Sequence, residues 1–140
     1  MSAKYFIDTN IFIYSFDHRN PDKKERSQRV IERALETGDG IISTQVIQEF
    51  LNVATQKFTI PLKPDDSRTY LRVVLNPLCQ VYPNLALYET CLEVQAETRY
   101  SFFDSLILAA AIQGGCSYLC SEDLQDRQVV RGVEITNPFR

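Results

Sequence analysis

A chain of 140 residues suits a single domain, and a domain of that length can bury roughly two-thirds of the surface that its unfolded chain exposes. Its hydrophobic content of 44% and charged content of 24% are ordinary for a globular protein, which argues against disorder. The net charge of −3 excludes a strongly basic nucleic-acid-binding protein, but it is compatible with several acids gathered where a metal ion neutralises them.

Short apolar runs alternate with longer helical patterns in the first part of the chain. This alternation predicts an α/β fold with a mostly parallel central sheet flanked by helices. A helix over 22–37 should follow the turn at Asn20–Pro21 and end at Gly38. Ser43 or Thr44 is the expected N-cap of a later helix. The expected elements are, in order, a strand at 4–7, helices at 11–16 and 22–37, a strand at 40–42 and a helix at 44–57.

The second part of the chain continues the same alternation. A helix over 65–75 is expected to stop at Asn76–Pro77, because the residue before a proline disfavours helical backbone. The remaining expected elements are a strand at 79–82, helices at 85–99 and 104–113, a strand at 117–120, a polar turn at 121–126 and a last strand at 133–136. We predict one domain built around a single sheet.

The sequence indicates a cytoplasmic protein without a membrane anchor. No stretch reaches the run of about 18–20 apolar residues that a membrane helix needs, and the start has no signal-peptide pattern. The four cysteines show no CxxC spacing and the lone His18 lies far from them, which disfavours a zinc site or a Cys–His nucleophile. Buried free thiols are expected at Cys79, Cys91, Cys116 and Cys120.

Two acids directly follow predicted strands. Asp8 could serve simply as a helix N-cap, and Asp123 as the acceptor of an Asx turn. Open parallel sheets, however, place ligands outside the carboxyl ends of their strands, and both acids would then share one edge. Thr9 and Asn10 add short polar groups to that edge.

Two further acids lie on predicted helices. Glu49 falls at the border of the apolar face of its helix, where a solvated glutamate is the usual explanation, but where it could also lean into a cleft. Asp104 leads a helix that is apolar nearly all round, so it is the N-cap of that helix, part of a shielded polar site, or both. Carboxylates held close together repel, and a hard divalent cation is the natural compensation.

The acids lie in motifs whose order and spacing resemble a PIN domain, and more narrowly the VapC-type toxin of bacterial toxin–antitoxin pairs. The motifs are FIDTN at 6–10, QEF at 48–50, FFDSLILAAA at 102–111, YLCSEDLQD at 118–126 and NPF at 137–139, the last typical of one subgroup. The resemblance spans nearly the whole chain. It implies that residues 1–140 form a single PIN-like nuclease domain.

The resemblance also implies a function for individual residues. Asp8, Glu49, Asp104 and Asp123 would be the catalytic acids that bind Mg²⁺ or Mn²⁺, with Thr9 and Ser121 as polar helpers. Asp126 is a candidate accessory ligand, and its ranking against Asp123 stays open. RNA is the implied substrate, and a cognate antitoxin and a second copy of the chain are the implied protein partners.

Asp8, Asp104 and Asp123 are expected to hold the principal ion, and Glu49 to orient water or help with a second ion. Hydrolysis by that water would leave a 5′-phosphate and a 3′-hydroxyl. Cleavage through the 2′-hydroxyl lacks a catalyst pair, because the chain has one histidine.

Three other functions are weighed against this one. A receiver domain would want paired acids after the first strand and a lysine after the last, yet Asp8 stands alone and no lysine follows Lys63. A haloacid-type phosphatase would want Asp-x-Asp at the first strand, where this chain has Asp-Thr-Asn. A non-catalytic PIN-like binding module is the third, and the presence of all four acids counts against it.

Two surfaces are expected from the sequence. A homodimer is predicted because the helix at 65–75 carries more apolar side chains than one core face needs, namely Tyr70, Leu71, Val73 and Val74. Contact with RNA would fall to scattered basic side chains, namely Lys23, Lys24, Arg26, Arg29, Arg68, Arg72, Arg127 and Arg131.

Overall fold

The computed structural model describes residues 3–140, which form one six-stranded sheet with helices packed against it. The strands are β1 Tyr5–Ile7, β2 Gly40–Ser43, β3 Cys79–Val81, β4 Tyr118–Cys120, β5 Val129–Val130 and β6 Val133–Thr136. Their order in the sheet is β3-β2-β1-β4-β6-β5, and every neighbouring pair is parallel except β5 with β6. The α/β fold with a mostly parallel sheet is therefore confirmed.

The helices agree with the predicted order. They are α1 Thr9–Tyr14, α2 Pro21–Thr37, α3 Thr44–Gln56, α4 Pro64–Tyr70, a π-helical segment Leu71–Leu75, α5 Asn76–Leu78, α6 Leu85–Thr98 and α7 Phe102–Gln113. Local chemistry explains the ends of α2: the Asn20 side chain accepts a hydrogen bond from the Lys23 amide, and Gly38 ends the helix at a φ of 76°. No helix within residues 3–140 is long and apolar enough to cross a membrane.

The predicted stop at Asn76–Pro77 is wrong. Helical backbone continues through both residues to Leu78, and Asn76 itself is in the right-handed helical region. The π-helical segment explains the difference. Its turn is wider than that of an α-helix, so the Asn76 amide donates to the Leu71 carbonyl, five residues back, and the backbone accommodates Pro77 without ending the helix. The expected helix at 65–75 is thus the larger part of a helical run over 64–78.

Two other sequence predictions need correction. Helix α7 begins at Phe102, two residues earlier than predicted, with Ser101 as its N-cap. Asp104 is therefore not the cap but an acid in the first turn of the helix. The two-residue strand β5 was missed, because it is an edge strand too short to produce an alternating pattern.

The hydrophobic core lies on both faces of the sheet. Residues 105–111 of α7 are all buried, as its apolar sequence predicted. On the other side an aromatic cluster joins α1, α3 and α4, in which Phe50 packs against Phe12, Phe16, Phe58 and Tyr70. These layers fix the helices against the strands whose ends carry the predicted acids.

Candidate active site

Strand order reverses between β1 and β4, which lie side by side at the centre of the sheet. A reversal of this kind opens a crevice at the carboxyl ends of the strands. Asp8 follows β1 and its amide donates to the Cys120 carbonyl at the end of β4. Ser121 and Asp123 come next after β4, so the chain delivers both predicted acids to that crevice.

A cleft of about 280 Å³ at this edge is lined by all four predicted acids. Asp8 and Asp123 reach it from the strand ends, Glu49 from α3 and Asp104 from the first turn of α7. Asp126 is not among the lining residues, and its side chain accepts a hydrogen bond of 2.8 Å from the Asn137 amide instead. The geometry therefore brings Asp123 rather than Asp126 to the cleft.

Asp8 is buried and both of its carboxylate oxygens are engaged. One accepts from the Thr9 amide at 2.7 Å, which makes Asp8 the N-cap of α1, and the other accepts from the Ser121 hydroxyl at 2.8 Å. Burial raises the pKa of Asp8 to about 6, and the charges of Asp123 and Glu49 add to the rise, while the two hydrogen bonds oppose it. Asp8 therefore caps α1 and lines the cleft at the same time.

The predicted polar helpers orient the acids. The Thr9 hydroxyl lies 2.6 Å from Glu49 Oε1, and Ser121 is fully buried between Asp8 and the Asp123 amide. Asn10 donates a hydrogen bond to Asp123 through its side-chain amide. Short polar side chains next to the acids therefore form a network that holds three of the four carboxylates.

Gln45 and Asn52 also line the cleft, although no sequence motif singled them out. Gln45 donates to the Phe103 carbonyl at 3.1 Å and lies 3.4 Å from Glu49 Oε2, so it connects α3 to the start of α7. Both residues share a helix face with Glu49, at spacings of four and three residues. That spacing was the signal that could have identified them.

Glu122 is the residue before Asp123 in the loop that follows β4. It is half-buried and forms an ion pair with Lys23 of α2. The Lys23 ammonium also lies 4.6 Å from the ring centre of Tyr14 and 5.2 Å from that of Phe139. We call Tyr14, Lys23, Glu122 and Phe139 the C-terminal clasp, because together they tie the loop that carries Asp123 to α1, α2 and the end of the chain.

Most of the basic side chains proposed for RNA contact are paired with acids. Lys23 belongs to the clasp, and five arginines form ion pairs, namely Arg26, Arg29, Arg68, Arg127 and Arg131. Pairing reduces the charge that these side chains offer to phosphate groups. These described side chains therefore offer less positive charge to RNA than their number in the sequence suggests.

The donor chemistry of the cleft fits a hard divalent cation, since it combines carboxylate, amide and hydroxyl oxygens around a concentration of negative charge. Within residues 3–140, however, no three His, Cys, Asp or Glu side chains are already arranged to hold a metal ion. Asp8 and Asp123 are instead held by Ser121 and Asn10. The residue types fit such an ion, while the side chains are not gathered around one point.

Comparison with known proteins identifies the family. The PIN domain family model matches residues 5–131. A toxin–antitoxin complex from Klebsiella pneumoniae is similar, with 19% identity, a TM-score of 0.68, and coverage of 96% of this chain and 98% of that chain. DNA-bound VapBC from Salmonella typhimurium is similar with 18% identity and a TM-score of 0.67, covering 98% of this chain and 99% of that chain. VapC20 of Mycobacterium tuberculosis is described as a Sarcin-Ricin loop cleaving toxin. It is similar with 18% identity and a TM-score of 0.57, covering 86% of this chain and 90% of that chain.

No curated protein matches the chain. At these identities the solved structures show a common fold. The family model covers most of the chain, including Asp8, Glu49, Asp104 and Asp123. The chain therefore belongs to the PIN domain family.

Proposed function

We propose that this chain is a metal-dependent endoribonuclease, the toxin of a toxin–antitoxin pair, which hydrolyses RNA phosphodiester bonds in the cytoplasm as a single nuclease domain. One observation carries the proposal. Four carboxylates from four separate elements line one cleft at the carboxyl edge of the sheet of a PIN domain. Carboxylates held close together repel one another, which lowers the stability of the folded state. Clusters of this kind are typical of functional sites.

Each acid has a role in the proposed site. Asp8, Asp104 and Asp123 would hold the principal Mg²⁺ or Mn²⁺, and Glu49 would orient the attacking water or help with a second ion. When bound, the divalent ion neutralises charge on the phosphoryl oxygens and lowers the pKa of a bound water. Thr9 and Ser121 act through the carboxylates to which they donate, so they are positioning residues.

Glu49 is suited to hold a water molecule. Its two oxygens accept hydrogen bonds from Thr9 and Gln45, which fixes the plane of the carboxylate while leaving lone pairs free toward the cleft. Attack by an oriented water, with the 3′-oxygen as leaving group, gives a 5′-phosphate and a 3′-hydroxyl. The 2′-hydroxyl takes no part in this reaction.

Protein partners are part of the proposal. One solved structure with the same fold is described as a toxin–antitoxin complex, and two others as VapBC or VapBC2 bound to DNA, which supports a cognate antitoxin as partner. We also propose a homodimer, because apolar side chains remain exposed on the helical surface. A non-catalytic binding module is the second candidate function, and the observation that favours it is the absence, within residues 3–140, of a ready-made group of three ligands.

Cleavage assays separate the two functions. The purified chain should cut single-stranded RNA in Mg²⁺ or Mn²⁺, and Asp104→Asn should abolish cutting because it removes a charge from the cleft without changing the shape of the side chain. Asp126→Asn is the matched control, since Asp126 lies outside the cleft and an asparagine still offers an oxygen to the Asn137 amide. It should retain most of the activity.

The ends of the products test the chemistry. Cutting should continue when the 2′-hydroxyl at the cut is replaced by hydrogen, provided that the RNA still binds. Cyclic phosphate products, or activity in excess chelator, would contradict the proposed reaction. Parent protein that binds RNA but never cuts it would support the binding module instead.

A further inference from the structure

A second cleft adjoins the acid cleft, and the proposed chemistry does not use it. Its volume is about 230 Å³, and it lies between the start of α3, the start of α6 and the first turns of α7. Gln45 and Phe103 line both clefts, so the two clefts are adjacent and share a wall. None of the described side chains that line the second cleft is charged, in contrast to the four carboxylates beside it.

Aromatic rings form one wall of this second cleft. Phe103 is 62% exposed, and Phe102 and Tyr88 are exposed as well. The rings of Phe102 and Phe103 meet edge to face, with their centres 5.3 Å apart. Large apolar rings gathered at a cleft mark a binding surface, because exposing them to water is unfavourable. A nucleobase that has left its stack packs on a ring face of this kind.

The backbone beneath Phe103 is held in place by hydrogen bonds from three elements. The Ser101 hydroxyl caps the turn by accepting from the Asp104 amide at 3.2 Å, and Gln45 donates to the Phe103 carbonyl at 3.1 Å. The Cys91 thiol of α6 lies 3.5 Å from the Phe102 carbonyl. The exposed ring therefore extends from a fixed turn, one residue before a proposed metal-binding acid.

Two polar atoms of residues that line the second cleft have no hydrogen-bond partner within the part of the chain that is described. They are the Ser43 hydroxyl and the Gln45 side-chain carbonyl, and both are buried. A buried polar atom without a partner costs free energy, so an unpaired donor or acceptor at a cleft favours a ligand that completes it. The edge of a nucleobase carries both N–H donors and acceptors.

We propose that the second cleft is a nucleobase subsite. A base of single-stranded RNA next to the scissile phosphate packs against Phe103, while Gln45 and Ser43 contact its edge. This inference rests on the proposed function, because the acid cleft then holds the neighbouring phosphate. RNA is favoured over a protein occupant because the second cleft is uncharged, shares Gln45 and Phe103 with the acid cleft, and combines ring faces with unpaired polar atoms.

Substitutions at Phe103 test the proposal. Phe103→Leu keeps an apolar side chain but removes the ring, whereas Phe103→Tyr keeps the ring. Val129→Ala is the matched control, since Val129 is 61% exposed and lies on β5, outside both clefts. Two measurements are made: the Kd of a short fluorescein-labelled single-stranded RNA of mixed sequence in chelator, and the KM for its cleavage in Mn²⁺.

Phe103→Leu should weaken RNA binding roughly ten-fold, the effect of losing one stacked base, and raise KM more than it lowers kcat. Phe103→Tyr and Val129→Ala should both bind RNA with the Kd of the parent. If Phe103→Leu binds and cleaves RNA like the control, the subsite is wrong while the nuclease proposal survives. If the parent never cleaves but Phe103→Leu still binds more weakly than Phe103→Tyr, the subsite survives without the nuclease.

Two further outcomes overturn the subsite. A parent chain that neither binds nor cleaves RNA removes both proposals together. If Phe103→Leu instead converts a dimer to a monomer in sedimentation velocity, with RNA binding per protomer unchanged, the second cleft is a contact between protein chains.

Discussion

At the scale of single residues, Asp8 carries the clearest physical signature of the cleft. It is buried beside two other acids, and burial raises its pKa to about 6 from an ordinary value near 3.8. An acid with a raised pKa in the folded state binds a proton more tightly when folded than when unfolded. Its protonation therefore stabilises the fold fully below pH 3.8, and that stability is lost as the pH rises through 6.

This pKa shift predicts the pH dependence of stability in the metal-free protein. A rise from 3.8 to about 6 corresponds to about 3 kcal/mol, of which about 1 kcal/mol falls between pH 5 and pH 7.5. The parent should lose that amount relative to Asp8→Asn over this interval, because the amide does not titrate. Urea unfolding of both proteins in chelator measures the difference. Parallel pH curves for the two proteins would contradict it.

Asp104 gives a second prediction at this scale. Its helix is capped by Ser101, so Asp104→Asn leaves the cap in place while removing one negative charge from the cleft. The metal-free variant should be as stable as the parent or slightly more so. Mg²⁺ or Mn²⁺ should raise the Tm of the parent much more than that of the variant, because an ion that binds the folded state stabilises it. Equal shifts in thermal denaturation would argue against a metal site here.

At the scale of elements, the C-terminal clasp decides where the loop with Asp123 lies. Lys23 reaches from α2 to Glu122, one residue before Asp123, and its ammonium also lies over two rings. A half-buried pair that water still reaches contributes little to stability, about 1 kcal/mol, so its effect should fall on the placement of the loop more than on folding.

We therefore predict that Lys23→Met reduces RNA cleavage roughly ten-fold or more while changing the Tm little, because small displacements of a catalytic group are costly. Lys24→Met is the control, since Lys24 is the next residue along and contacts the exposed His18 ring instead. Initial rates and melting curves of both variants provide the test. A matching loss of activity in the two variants would show a general charge effect rather than the clasp.

At the scale of the whole molecule, the exposed apolar surface differs from what the sequence suggested. Of the side chains expected to support pairing, Tyr70 packs into the aromatic cluster around Phe50, whereas Val73 is 61% exposed. Leu85 and Leu92 on α6 provide a second exposed apolar face. Both faces are candidates for the proposed contact between two copies.

We expect light scattering to show a dimer at micromolar concentration. Burying a lysine in a contact between two copies is unfavourable, so Val73→Lys or Leu92→Lys should convert the dimer to a monomer and thereby identify the face. A monomeric parent would contradict the homodimer. A dimer that persists in both variants would place the contact elsewhere on the surface.

The sequence by itself determined the fold class, the order of the helices and strands, and the place of the acids at strand ends. Hydrophobic periodicity is a local property, and parallel strands present their carboxyl ends at one edge, so Asp8 and Asp123 could be expected to meet there. The burial of α7 followed in the same way from an apolar run that leaves no polar face.

Only the tertiary structure decided which side chains meet. Asp123 and Asp126 belong to the same polar turn, and the path of the chain sends one to the cleft and the other to the Asn137 amide. The contact of Lys23 with Glu122 and that of Gln45 with Phe103 join residues far apart in the sequence. Such pairings depend on how helices pack across the sheet, and no local pattern of residue types encodes that packing.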